Sequence, residues 1–143
     1  MVDTFSFHFK SSEEDGDYWE TRKKFPSGMT AVFRMEFVDE TDDSMTFNVD
    51  YFITRKRNKR PGHREVTGKD GLEPAIWALE KLEEFEKHVN SLYEPETYST
   101  RIEVGADDDR RWKIYERVLT RRGYNATMVE GNKTLVKRLE RNA

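Results

Sequence analysis

The chain has 143 residues, room for one domain with a real core and too few for two ordinary ones. Aromatic residues make up 13%, which argues against a disordered chain even though charged residues reach 37% and apolar ones only 35%. The absence of cysteine excludes disulfides, Cys-ligated zinc and thiol catalysis, and the net charge of −3 conceals separate acidic and basic clusters.

The opening MVDTFSFHFK has neither the basic start nor the long apolar run of a signal peptide. No apolar run approaches the ~18 residues that span a bilayer, so no membrane association is expected and the expected compartment is the cytoplasm. Phe5, Phe7 and Phe9 alternate with polar residues, the period of a half-buried strand. The acidic segment 11–17 reads as a loop and 18–25 as a short strand, followed by a turn at Pro26-Ser27-Gly28. Ala31, Phe33, Met35 and Phe37 then alternate with Thr30, Val32, Arg34 and Glu36. Met45, Phe47, Val49, Tyr51 and Ile53 do the same after the acidic turn at 39–43, which predicts an antiparallel hairpin.

Six of the ten residues from Arg55 to Arg64 are Lys or Arg, and Thr67-Gly68-Lys69-Asp70-Gly71 follows. Ala75, Ala78, Leu79, Leu82, Phe85 and Val89 recur at helical spacing, predicting a helix over 72–89 with Pro74 in its first turn. A strand is expected at 98–104. A second helix over 108–122 follows, with Trp112, Tyr115, Val118 and Leu119 as its apolar stripe and Gly123 ending it. The segments flanking Glu130-Gly131-Asn132-Lys133 predict a terminal hairpin. This order is an antiparallel meander followed by helix, strand, helix and hairpin, an α+β domain over 1–143.

GHREVTGKD is not a P-loop: five residues separate Gly62 from Gly68, and Asp70 stands where a Mg²⁺-binding hydroxyl belongs. The histidines, His8, His63 and His88, fall on a strand, a loop and a helix flank, and no metal site is expected. Thr67 to Gly71 leads into a helix N-terminus, where free N–H groups and close backbone approach suit an anion. An equally good reading is a loop that merely opens the helix. Residues 55–64 could also contact nucleic-acid phosphates, a lesser reading in an acidic chain without an RNP, KH or helix-turn-helix signature.

From Thr30–Val38 and Met45–Thr54 through the glycine loop to 124–139, the element order resembles the GNAT superfamily of acyl-CoA N-acyltransferases. RRWKIYERVLTRRGY is similar to the family's second-helix ending, with Gly123-Tyr124 matching its Gly-aromatic close. Residues 1–28 match poorly. The resemblance implies a GNAT-like mixed sheet. It also implies acetyl-CoA or another acyl-CoA with its pyrophosphate on the amides of Thr67, Gly68, Lys69, Asp70 and Gly71. Arg60, Arg64 and Lys69 would then neutralise the phosphates. Asp50 or Glu36 would be the general base for the amine acceptor. Leu119 occupies the family's usual tyrosine position, so Tyr115, one turn earlier, would be the acid. The loop departs from the family pattern: Glu65 and Asp70 replace its outer residues and Gly71 comes one residue late. The competing reading is a non-catalytic accessory protein of the phage-encoded kind, using its segregated charge to bind a protein or nucleic-acid partner.

Overall fold

A computed structural model describes residues 5–14, 16–41, 44–54, 72–92, 99–106 and 109–139. Its elements are β1 (His8–Ser12), β2 (Gly16–Lys24), β3 (Thr30–Glu40), β4 (Ser44–Thr54), α1 (Glu73–Leu92), β5 (Ser99–Val104), α2 (Asp109–Thr120), β6 (Asn125–Val129) and β7 (Asn132–Leu139). The seven strands are ordered β1-β2-β3-β4-β5-β7-β6 in one sheet. Among the described residues 52% are strand against 29% helix, so the fold they form is a sheet-dominated mixed structure. This overturns the GNAT-like α+β expectation. Among the described residues, two helices accompany seven strands, and His8–Ser12 pairs with the start of Gly16–Lys24, where alternation and not the helical period decides.

The chain divides into two compact units, Met1–Glu36 with Asp50–Leu92 and Phe37–Val49 with Tyr93–Ala143. In the first, β1 pairs antiparallel with β2, and β2 with β3. The strand expected at Phe5–Phe9 begins only at His8, and Ser11, Ser12, Gly16 and Asp17 of the expected acidic loop lie in β1 and β2. Phe5 and Phe7 precede β1, and their rings stack at 5.0 Å. Between them, Ser6 donates through its N–H and its Oγ to Glu84 on α1, both at 2.7 Å. Lys81 Nζ donates to Ser6 Oγ at 2.9 Å and pairs with Glu84 at 3.1 Å, so this Ser–Lys contact ties the N-terminal segment to the helix. His88 stacks on Phe5 with ring centroids 3.6 Å apart.

The core of this unit lies between α1 and the sheet face that carries Phe33. Trp77, Leu82, Phe85 and Val89 are buried at helical spacing, with Phe7, Phe25, Ala31, Phe33 and Met35. Phe85 sits 5.5 Å from the Phe7 ring and 6.2 Å from the Trp19 ring.

In the second unit, β4 and β5 run parallel from Ser44↔Ser99 to Val49↔Val104. β5 pairs antiparallel with β7, and β7 with β6. The β6–β7 turn has positive φ at Glu130 (51°) and Gly131 (83°), the two-residue geometry that matches strand twist. Ile102, Val104, Trp112, Leu119, Tyr124, Leu135 and Leu139 are buried, and α2 packs on β6 and β7.

Gly123 ends α2 with φ 94°, while Arg122 and Tyr124 N–H both donate to the Leu119 carbonyl, at 2.9 and 3.0 Å. A Cβ there would also lie 3.4 Å from Lys137 Cε, whose ammonium donates to the Arg122 carbonyl at 2.9 Å. Gly123→Ala is expected to cost about 1–2 kcal/mol, read as a lower urea midpoint. An unchanged midpoint would mean that the helix does not close this way. Among the described residues, no helix is long and apolar enough to cross a membrane.

Candidate functional site

On β2, alternation sends Tyr18, Glu20 and Arg22 to the sheet face opposite Trp19. Register then places Arg34 of β3 directly across from Glu20, and Lys10 of β1 across from Tyr18. Glu20 is only 2% exposed and Arg34 only 6%. The Glu20 carboxylate accepts from Arg34 Nε at 2.6 Å, Lys10 Nζ at 2.8 Å and Arg22 Nε at 3.0 Å. Burial alone would raise the Glu20 pKa, but hydrogen bonds from Arg22, Lys10 and Arg34 outweigh it and hold the group at about 2, against an ordinary 4.5.

The Arg34 guanidinium lies 4.5 Å from the Tyr18 ring centroid and 5.8 Å from that of Phe52 on β4. Burial disfavours its charge, yet the Glu20 bond and charge, then Tyr18 and Asp50, shift its pKa upward. One carboxylate thus gathers three cations, and the most buried of them rests on two aromatic faces. The arrangement fixes β1, β2 and β3 in register.

The residues expected to do chemistry fall as follows. Glu36 lies on β3 across from Tyr18, half-buried, and by alternation on the face of Arg34. Asp50 is half-buried on β4, and its charge reaches Arg34. Tyr115 belongs to the other unit and is half-buried on α2, one turn from buried Trp112 and Leu119. Arg60, Arg64 and Thr67, Gly68, Lys69, Asp70 and Gly71, the residues assigned to acyl-CoA, lie outside the described residues, as does the basic segment 55–64. Among the described residues, no three His, Asp or Glu side chains group as metal ligands.

A second cluster occupies α2. At 3.6 residues per turn, Arg110, Lys113, Arg117 and the following Arg121 fall on one face, and all four are exposed. Between Asp109 and Arg122 the chain has six Lys or Arg against two acids, Asp109 and Glu116. Among the described residues, none of the four cations has a carboxylate partner. Ile114, 53% exposed, lies beside them. The helical spacing of these cations was available in the sequence, whereas the Glu20 network depends on strand register and had no local signal. No protein-family model, curated protein or solved structure matches this chain.

Proposed function

We propose that this chain is a non-catalytic binding protein that takes an anionic partner on the exposed face of α2. The observation that carries this reading is the contrast between the two charge clusters. Lys10, Arg22 and Arg34 are consumed by Glu20, and Lys81 by Glu84. The four cations of the α2 face have no such partner among the described residues and keep their charge for an external one. Heparin, a flexible sulfated polyanion, tests the surface without presuming the partner. Binding at low salt that weakens steeply with added salt, and that is lost in the Lys113→Glu, Arg117→Glu double variant, is the expected result. Heparin affinity equal in both proteins would remove the reading.

A second reading, an acyl-CoA-dependent N-acyltransferase, is favoured by one observation. β4 and β5 are a parallel pair whose connecting chain contains α1, and ligands of such crossovers sit outside the carboxyl ends of the strands. Acetyl-CoA, where bound, would supply the activated acyl group, and Asp50 or Glu36 would take the acceptor's proton. The residues assigned to its phosphates lie outside the described residues. Millimolar acetyl-CoA must raise the melting temperature if the native state binds it. No shift would exclude this reading.

A further inference from the structure

Resting on the reading of α2 as an anion-binding face, we propose that its partner is double-stranded nucleic acid, held by its phosphate backbone without reading of the bases. The chemistry of the face separates this partner from the alternatives. Protein interfaces are depleted of charge at their centre and anchored by aromatic side chains, whereas here four cations accompany one exposed aliphatic residue, Ile114. Single strands are held by stacking on aromatic platforms, but the aromatic residues of α2 turn the other way: Trp112 is buried and Tyr115 half-buried. A row of cations without base-reading amides or aromatic wedges suits backbone contact alone.

The dimensions agree. Arg110 to Arg121 spans about 16 Å at 1.5 Å per residue. One strand of a duplex presents a phosphate about every 3.4 Å of axis, so about five phosphates lie within that length. Four cations can each neutralise one. Asp109 at the start of the face, and Glu116 on its flank, limit the footprint to these four and leave no room for a longer one on this helix. The chain's net charge of −3 does not oppose this, because contact is local and the surrounding salt screens more distant charge within about 10 Å.

The test is fluorescence anisotropy with a labelled duplex of about 20 base pairs, titrated between about 50 and about 200 mM salt. Four phosphate contacts predict a slope of log K against log salt of about −3 to −4. Arg117→Ala or Lys113→Ala should each flatten that slope by about 1 and weaken binding severalfold, equally for unrelated duplex sequences. Lys24→Glu, an exposed charge change in the other unit, should leave it unaltered, and circular dichroism confirms that each variant is folded. Polyglutamate of similar charge is the second arm. If it binds through α2 as tightly as the duplex does, the partner is an acidic protein: the duplex inference falls and the anion-binding reading stands. Duplex binding indifferent to both α2 substitutions overturns the inference, and failure to bind duplex, polyglutamate and heparin alike overturns both.

Discussion

Glu20→Gln is expected to destabilise the protein by about 3–5 kcal/mol, the usual cost of leaving a buried charge without its counterion. Arg34 is the charge stranded, since Lys10 and Arg22 are more exposed and regain water. Adding Arg34→Met to Glu20→Gln should recover much of the loss, because an apolar side chain of similar length needs no partner. The same group makes stability depend on pH. Its folded pKa of about 2 lies below the ordinary 4.5, so its contribution is fully present above pH 4.5 and is lost as pH falls through about 2. The difference corresponds to about 3 kcal/mol. Urea midpoints measured from neutral pH down to about 2 should fall more steeply in the native sequence than in Glu20→Gln. Parallel curves would show that Glu20 is not held as a paired carboxylate.

Phe85→Ala should cost about 3–5 kcal/mol and loosen α1 from the sheet, as truncating a buried aromatic ring removes apolar contact and leaves a cavity. Phe85 is 2% exposed and meets Phe5 and Phe7 as well as Trp19, with ring centroids 6.1, 5.5 and 6.2 Å away. Fluorescence and near-ultraviolet dichroism should therefore report the change beside Trp19, together with a lower urea midpoint. Phe85→Leu keeps most of the volume and should cost less. If alanine and leucine behaved alike and cost under about 1 kcal/mol, the helix would not be docked through this ring.

Much of the local structure was legible because it follows from short-range periodicity. The apolar spacing from Ala75 to Val89 announced α1, which the structure extends to Leu92. Gly123 announced the end of α2, and the residues around Gly131 announced the β6–β7 turn. In the sequence Phe5, Phe7 and Phe9 look like one strand face. Only Phe9 lies in β1, while Ser6 and its neighbours are drawn to α1 by Glu84, a residue 78 positions away. The candidate site divides in the same way. The α2 cations are neighbours along one helix and could be read directly. Glu20, Arg34 and Lys10 come from three strands, and Glu20 gave no sign of burial in a segment rich in charge.

The sequence by itself determined the absence of thiol chemistry, the two amphipathic helices and most of the strands, because composition and periods of two and 3.6 residues depend on nearest neighbours alone. Only the tertiary structure decided that sheet prevails over helix among the described residues, that β7 lies between β5 and β6, and that Glu20 faces Arg34. Strand order and register are set by pairing between distant segments, and a shift of one residue would send Glu20 to the opposite face.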